Sequence, residues 1–186
     1  MANLIYSTIM SLDGYVADAH GNFEWAEPDE EVHSFVNDLQ RRVGSHLLGR
    51  KMYEVLVAWD DTDAFANEPG YMQEFADMWQ SADKVVYSRT LESVSDARTR
   101  IERDFDPHAV RRMKTRGDAD ISVSGPNLAG HAFEAGLVDE CHLFVAPTVI
   151  GGGIKGLPNE MRLALQLLDE RRFESGMVYL RYQTKT

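Results

Sequence analysis

The feature that most constrains the fold is a regular alternation of two hydrophobic periodicities along the chain. Short apolar, β-branched runs predict buried strands, and the segments between them carry apolar residues at helical spacing. Such alternation predicts a mainly parallel sheet with helices on both faces. The predicted strands are 4–10, 46–48, 84–88, 121–123 and 141–145, and the predicted helices are 28–43, 50–58, 71–80, 107–116 and 127–135.

Glycine, proline and aspartate residues mark the predicted boundaries. Pro28 fits the first position of a helix that Gly44 ends, and Asp106 before Pro107 is typical of a helix N-cap. Gly136 is expected to close the helix 127–135. The segments 11–26 and 60–70 are rich in turn-forming or polar residues and are predicted to be loops.

The chain ends with a predicted antiparallel hairpin. The segments 163–173 and 177–182 flank the turn Glu174-Ser175-Gly176 and would add antiparallel edge strands to the sheet. The fold class expected from the pattern is therefore a three-layer α/β/α arrangement with a mixed, mainly parallel sheet. A chain of 186 residues with no linker-like or repetitive stretch suits one domain, 1–186.

The charge balance limits the partners of this protein. The formal net charge is −11 and the pI is about 4.9. Such an acidic chain repels phosphate backbones and anionic lipids, so we expect no nucleic acid partner and no membrane partner. A phosphorylated small molecule would have to be held by a few local cations and by backbone N–H groups, so basic residues matter by their position.

Several other chemistries lack their sequence signatures. The single cysteine, Cys141, lies in an apolar strand-like run and is expected to be buried and structural. The six histidines show no metal-ligand spacing, so no metal is expected. Neither a G-x-S-x-G elbow nor a phosphate-binding P-loop motif is present. The chain shows no secretory leader and no long apolar run, and we expect a cytoplasmic protein.

Three predicted strand ends carry residues suited to a phosphorylated ligand, because ligands of open α/β sheets collect at the carboxyl ends of the strands. Gly49-Arg50-Lys51 combines a glycine, two cations and a helix start, which together fit a phosphate. A tight turn with solvated cations is the alternative interpretation of this segment. Ser88-Arg89-Thr90 offers hydroxyls and a guanidinium suited to a ribose 2′-phosphate, or else is simply a polar strand end.

The third strand end is Ser124-Gly125-Pro126-Asn127-Leu128, where small residues precede another helix start. Its spacing is not the G-x-G-x-x-G dinucleotide fingerprint. Three such segments at neighbouring strand ends point to a dinucleotide more strongly than any one of them. Gly151-Gly152-Gly153 is a weaker candidate for a fourth piece, because a triple glycine is more often a flexible turn.

These motifs occur in an order that resembles the dihydrofolate reductase superfamily. The branch with the greatest similarity is the C-terminal reductase domain of the bacterial bifunctional riboflavin-pathway deaminase-reductase. The resemblance covers nearly the whole chain, and with it the expected fold becomes dihydrofolate-reductase-like. The segments that carry the resemblance are Met10 to Tyr15, Leu48 to Lys51, Val86 to Thr90, Ser122 to Gly125, Ala135 to Glu140 and the final hairpin.

The resemblance implies that NADP(H) lies across the strand ends. Gly49, Arg50, Lys51 and Met52 would lie at the pyrophosphate or the 2′-phosphate, Ser88, Arg89 and Thr90 at the adenosine end, and Ser124, Gly125, Pro126, Asn127 and Leu128 at the pyrophosphate and nicotinamide ribose. Thr8 and Ile9 would contact the nicotinamide, and Asp13, Gly14 and Tyr15 would belong to a mobile covering loop. The family often has Gly-Gly at Ser124-Gly125 and Thr at Met52, and both departures leave the backbone donors in place.

A catalytic carboxylate is the least defined part of this hypothesis. Dihydrofolate reductases place one on the first long helix, where Glu31 matches by position and Asp29 lies closer to the centre of the apolar face. Asp13 in the covering loop is the third candidate. A raised pKa would allow such a group to orient a heterocycle and relay a proton. Alternatively, the acidic residues at 29–31 merely favour the helix N-terminus.

The function implied is that of an NADPH-dependent reductase resembling dihydrofolate reductase or 5-amino-6-(5-phosphoribosylamino)uracil reductase. The substrate would be a small heterocycle, pteridine-like or like the ribosylaminopyrimidines of riboflavin biosynthesis. Two alternatives stay open, namely an NADP(H)-binding module without turnover and a flavin-binding oxidoreductase. A homodimer is expected from the riboflavin-pathway branch, with the apolar C-terminal strands as a candidate interface.

Overall fold

The computed structural model describes residues 1–94, 96–159 and 161–185, apart from the side chain of Thr62. The predicted fold class is confirmed: helices flank a mixed sheet of eight strands, most of them parallel. The strands are β1 (Leu4–Ser11), β2 (Tyr15–Ala17), β3 (Val43–Gly49), β4 (Asp83–Tyr87), β5 (Thr99–Glu102), β6 (Asp120–Ser124), β7 (Glu140–Ala146), β8 (Ile154–Lys155), β9 (Ala164–Arg172) and β10 (Val178–Lys185). The α-helices are α1 (Glu30–Gln40), α2 (Arg50–Leu56), α3 (Thr62–Phe65), α4 (Gly70–Ser81), α5 (Pro107–Arg116) and α6 (Pro126–Glu134).

The large sheet has the strand order β5-β4-β3-β6-β1-β7-β10-β9. The first six of these strands run parallel to one another. Strand β10 pairs antiparallel with β7, and β9 pairs antiparallel with β10. The predicted hairpin is therefore confirmed, but only β9 lies at the edge, because β10 pairs with both β7 and β9. A separate two-stranded ribbon joins β2 to β8.

Apolar side chains fill both faces of the central strands. One core cluster contains Leu47, Val123 and Phe133, and a second, on the other face, contains Val32, Phe144 and Tyr179. The strand β7 is buried along nearly all of its length, as expected of a strand in a sheet that is covered on both faces. Cys141 is buried and free, as predicted.

The first helix is shorter than predicted at both ends. It begins at Glu30, because the side chain of Asp29 accepts a hydrogen bond from the N–H of Val32 and so forms the N-cap. Pro28 consequently precedes the helix. Gly44 does not end it but lies in β3, where an added Cβ would approach the Cβ of Ala119 to 2.8 Å. This glycine thus permits close packing of a strand on a neighbouring loop.

Three further predictions needed correction, and one strand was not predicted. The helix predicted over 50–58 ends at Leu56 and continues as a 3-10 helix, Val57–Asp60. The predicted loop 60–70 contains α3, since the Asp61 carboxylate accepts hydrogen bonds from two backbone N–H groups of its first turn. A short 3-10 helix (Glu24–Ala26) and β2 lie within the predicted loop 11–26. The edge strand β5 was missed because its four residues, Thr-Arg-Ile-Glu, carry no strong apolar signal.

Candidate functional site

The candidate site lies at the carboxyl ends of the parallel strands. Because β4, β3, β6 and β1 are consecutive neighbours in the sheet, their final residues meet along one edge. The segments that follow β3, β4 and β6 are the three predicted from the sequence, beginning at Gly49, Ser88 and Ser124. The fold therefore brings together segments that are far apart in the chain.

Two glycines allow the turns after β3 and β6 to lie against each other. Gly125 has φ = 96° and is the N-cap of α6. A Cβ on Gly125 would lie 3.7 Å from the N of Gly49, and a Cβ on Gly49 would lie 3.8 Å from the O of Ser124. Backbone approaches backbone here, with no side chain on either glycine. This leaves a glycine-lined surface at the edge where α2 and α6 begin, as close approach of a phosphate chain requires.

The guanidinium of Arg50 connects two of the predicted segments. Its Nη1 donates to Oγ1 of Thr90, a residue 40 positions later, and its Nε donates to Glu54 at 2.7 Å. Arg50 and Glu54 are about half-exposed, so this ion pair is worth little by itself. Lys51 is exposed beside it. Arg50 is thus fixed near the turn after β4 and still open to a ligand.

The turn after β4 differs from its predicted arrangement in two side chains. The buried Ser88 hydroxyl accepts hydrogen bonds from the N–H groups of Thr90 and Leu91, so it shapes the turn. Arg89 points to Asp104, with 81% of its side chain exposed. Thr90 therefore presents its hydroxyl toward Arg50, while Arg89 lies on the side of α5.

Sequence reasoning missed three residues next to this turn. Arg103 donates to the carbonyl oxygens of Ser88 and Leu91, at 2.9 and 2.7 Å. Phe105 and His131 stack with ring centroids 6.1 Å apart and planes inclined by 24°. Phe105 and His131, but not Arg103, line an open cavity of about 430 Å³ together with Arg89. Arg103 and Phe105 follow β5, a strand that the sequence did not predict, and His131 lies within α6, so no motif marked these residues.

The predicted nicotinamide contacts lie in the last part of β1. Thr8 and Ile9 are half-buried, and Ile9 packs toward α1 in the core cluster that contains Val32. Two other predicted residues have mainly packing roles for their side chains. Leu128 is buried in the core, and Met52 packs against the cluster around Leu48 and Trp79. For Leu128, the backbone is the part of the residue left for a ligand.

Two of the candidate carboxylates serve the N-terminus of α1. Asp29 caps the helix, as described above. Glu31 accepts a hydrogen bond from Arg171 at 2.8 Å and another from the N–H of Glu174 at 3.0 Å, which ties α1 to the C-terminal hairpin. The Glu174 N–H and then the Arg171 guanidinium lower the pKa of Glu31. The raised pKa expected of a proton relay is therefore absent at Glu31.

The third candidate, Asp13, lies in the turn after β1. Its carboxylate accepts hydrogen bonds from the Ser11 hydroxyl and from the N–H groups of Ile150 and Gly151. These donors, the Ser11 hydroxyl foremost, lower its pKa as well. Gly14 has φ = 88° in this turn, and Tyr15 begins β2 and donates its N–H to the Ser11 hydroxyl. All three carboxylates thus accept backbone hydrogen bonds.

Among the residues that the structure describes, no group of three or more His, Cys, Asp or Glu side chains is arranged to hold a metal ion. None of the helices in this described part of the chain is both long enough and apolar enough to cross a membrane.

Comparison with known proteins gives one curated relative over nearly the whole length. It is the uncharacterized protein YyaP of Bacillus subtilis (strain 168), 27% identical over 183 residues, which make up 96% of this chain and 93% of YyaP.

Solved structures share the fold. A putative riboflavin biosynthesis protein from Shewanella sp. PV-4 superposes with a TM-score of 0.75 at 21% identity, over 100% of both chains. A pyrimidine reductase-like protein from Corynebacterium diphtheriae gives 0.68 at 14% identity, over 100% of this chain and 92% of that one. RibD of Acinetobacter baumannii gives 0.70 at 16% identity, and this chain spans 58% of it.

The family model for the RibD C-terminal domain matches residues 2–179. The match includes all of the strand ends described above, from β1 to β7, and most of the sheet. The chain therefore belongs to the RibD C-terminal domain family.

Proposed function

We propose that this protein is an NADP(H)-dependent reductase of a small heterocyclic substrate, pteridine-like or similar to the ribosylaminopyrimidines of riboflavin biosynthesis. Family membership supports the reaction class, since a Thermotoga maritima structure that shares the fold, with a TM-score of 0.64, is described as a deaminase and 5-amino-6-(5-phosphoribosylamino)uracil reductase. The observation that carries the cofactor assignment is the meeting of the Gly49 and Gly125 turns beside Arg50. We place this activity in the cytoplasm.

The phosphates would be held by backbone and by a few cations. The start of α6 offers N–H groups that its own helix does not use, and Gly49 and Gly125 allow phosphate oxygens to approach them. Arg50, Lys51 and the Thr90 hydroxyl are suited to a 2′-phosphate. In a protein with a net charge of −11, these local cations would favour NADPH over NADH.

The adenine end has a candidate surface beside Arg89. The stacked rings of Phe105 and His131 line the 430 Å³ cavity together with Arg89, and flat rings and a guanidinium are suitable contacts for a purine. Arg103 donates to the carbonyl oxygens of Ser88 and Leu91 and so holds the turn that contains Arg89 and Thr90.

The chain's role in the reaction would be to orient and to exclude water. NADPH supplies the hydride, so no protein nucleophile is needed. Thr8 and Ile9 would position the reacting ring at the end of β1, and alignment is itself a large part of such catalysis. With Asp13, Asp29 and Glu31 all engaged by backbone N–H groups, we do not assign a side chain as the proton donor.

The same carboxylates favour a second candidate function. A chain whose candidate acids all serve local structure fits an NADP(H)-binding module without turnover. This module and the reductase share the cofactor site and differ only in chemistry.

Thermal unfolding with NADPH and with NADH tests the cofactor half. If NADPH is present at about 100 times its Kd, the melting temperature is expected to rise by roughly 5–10 °C, with a smaller rise for NADH. Arg50→Ala should reduce the shift in melting temperature caused by NADPH. Arg98 is an exposed arginine that directly precedes β5 and pairs with Asp83, and Arg98→Ala should preserve the shift. No shift of the wild-type protein with saturating NADPH would refute the proposal.

Turnover then separates the two candidates. We expect oxidation of NADPH, followed by absorbance, with at least one member of a panel of dihydrofolate, ribosylaminopyrimidines and quinones. Binding of NADPH without oxidation by any of them supports the module. A visible flavin spectrum of the purified protein would contradict both.

A further inference from the structure

We propose that Asp13 is a positioning residue that fastens the glycine loop, residues 150–153, to the end of β1 and so makes this loop a wall of the cofactor site. The inference rests on the proposed function, because the wall matters only if NADP(H) lies at this edge. It changes the role expected for Asp13 from proton transfer to loop positioning.

The contacts of Asp13 join segments that are far apart in the sequence. Its Oδ1 accepts hydrogen bonds from the Ser11 hydroxyl at 2.6 Å and from the Ile150 N–H at 3.2 Å. Its Oδ2 accepts the Gly151 N–H at 2.8 Å, across 138 positions. Hydrogen bonds to a charged acceptor are stronger than neutral ones. One exposed carboxylate thus links the end of β1 to two consecutive N–H groups of the glycine loop.

Backbone contacts on either side of the glycine loop follow the same path. The N–H of Leu12 donates to the Thr148 carbonyl at 2.8 Å, and the N–H of Gly156 donates to the Gly14 carbonyl at 2.9 Å. The hydroxyl of the buried Tyr6 also donates to the Gly156 carbonyl. The turn after β1 is therefore hydrogen-bonded to the segment 148–156 before, at and after the glycine loop.

Gly153 shows how closely the loop fits. It has φ = 137°, and an added Cβ would lie 2.0 Å from the carbonyl oxygen of Ala17 in β2. Only glycine is compatible with this position. Three consecutive glycines would otherwise be very mobile, so the loop needs external contacts to hold one conformation.

The position of the loop connects it to the proposed cofactor site. Strands β1 and β7 pair in parallel, with Ser11 opposite Ala146, so the turn after β1 and the segment after β7 leave the sheet side by side. Thr8 and Ile9 lie just before this point, on the strand that Asp13 follows. Ionisation suits the role, because an ionised carboxylate accepts all three hydrogen bonds, and these donors lower the pKa of Asp13.

Three variants test the inference, with Asp18→Ala as the matched control. Asp18 is also an aspartate of the segment between β1 and α1, and its side chain accepts two backbone N–H groups and an amide, all within residues 18–22. Only the backbone of Asp18, which alanine retains, lies against Gly153 of the glycine loop. Asp13→Ala removes the hydrogen bonds that Asp13 accepts from the glycine loop, and Asp13→Asn retains one acceptor oxygen of two. Amide hydrogen exchange at Ile150 and Gly151, NADPH affinity and melting temperature are measured for each.

We expect Asp13→Ala to accelerate exchange at Ile150 and Gly151 by about tenfold or more and to weaken NADPH binding by roughly 5- to 10-fold, with an intermediate Asp13→Asn. Asp18→Ala should change neither quantity. Asp13 is exposed, and the half-buried Asp18 side chain acts only within the turn of residues 18–22, so the melting temperature of the free protein should change little in all three variants.

Unchanged amide exchange in Asp13→Ala would show that Asp13 does not fasten the glycine loop. Faster exchange with unchanged NADPH affinity would show that this loop is not a wall of the cofactor site. Equal weakening of NADPH binding by Asp18→Ala would also contradict this role of the loop. A wild-type protein that does not bind NADPH refutes the proposed function and this inference together, which distinguishes that failure from the others.

Discussion

Several charged or titratable side chains of this protein are buried. Lys84 is fully buried, where its Nζ donates to the Trp79 carbonyl at 2.9 Å and pairs with Asp96 at 3.1 Å. The neighbouring strand contributes His46, which is 9% exposed and hydrogen-bonds to the Ser122 hydroxyl at 2.7 Å. Burial, together with the charge of Lys84, lowers the pKa of His46 to about 4. A buried imidazole beside a buried ammonium group must therefore remain neutral.

The depressed pKa of His46 predicts an acid-sensitive fold. As the pH falls below about 6.5, the unfolded chain takes up a proton at this residue that the folded chain rejects until pH is about 4. The contribution of His46 to the free energy of unfolding should therefore be fully present above pH 6.5. It should decrease toward pH 4, by up to about 1.4 kcal/mol per pH unit.

Urea unfolding of the wild type and of His46→Gln, from pH 7 to pH 4, measures this contribution. The variant should be less stable at pH 7, because it disturbs a buried hydrogen bond, and its stability should depend less steeply on pH. Parallel pH profiles for the two proteins would show that His46 does not titrate in this range.

At the level of elements, the start of α6 illustrates how one helix serves packing and site at once. Its N-cap, Gly125, has a positive φ and contacts the Gly49 turn, while Leu128, Ala129 and Ala132 are buried in the core. The helix is thus fixed along its length, and its first turn is held at the carboxyl edge of the sheet. The same arrangement makes the first glycine and the interior glycine of this helix very different positions.

Substitution of these two glycines should give opposite results. Gly125→Ala forces a side chain into φ = 96° and should destabilise the fold by about 1–3 kcal/mol and weaken NADPH binding. Gly130 lies within α6, and a Cβ there would meet nothing within 4 Å. Gly130→Ala should stabilise the fold by roughly 0.5–1 kcal/mol, since alanine is the better helix former.

Chemical unfolding with and without NADPH measures both effects. Equal stability of the two variants would contradict the assigned role of Gly125.

For the whole molecule, the sheet is covered unevenly. Strand β9 forms its last edge and is exposed along almost all of its length, including Leu167 at 47% and Leu168 at 42%. A long exposed edge strand with apolar side chains is a surface that proteins usually cover. The charges of Asp169 to Arg172 include both signs and can complement those of a second copy running antiparallel. We propose that a second copy of this chain covers β9 and that the protein is a homodimer.

Light scattering after gel filtration tests the dimer. The wild-type mass is expected to be about twice the 21.0 kDa of one chain. Leu167→Lys should shift the protein toward a monomer, whereas Val55→Lys, at a residue of α2 that is 44% exposed, should leave the dimer intact. A wild-type mass of one chain, or equal dissociation by both substitutions, would contradict an interface at β9.

The sequence by itself determined the features that depend on short-range preferences. The apolar periodicities identified most of the core strands and helices, and Asp106-Pro107 and Gly136 marked helix ends correctly. The glycine and serine segments predicted at strand ends do follow neighbouring strands of the sheet. Dihedral preferences, capping and periodicity act within a few residues, so the sequence records them directly.

Only the tertiary structure decided which distant groups meet. Arg50 reaches Thr90 across 40 positions, Asp13 reaches Gly151 across 138, and Glu31 reaches Glu174 across 143. No local preference encodes these contacts, because each depends on the strand order, on the placement of β10 inside the sheet and on the packing of loops beside it. The same packing turned Asp13 and Glu31 from candidate acids into hydrogen-bond acceptors that hold loops and helix in place.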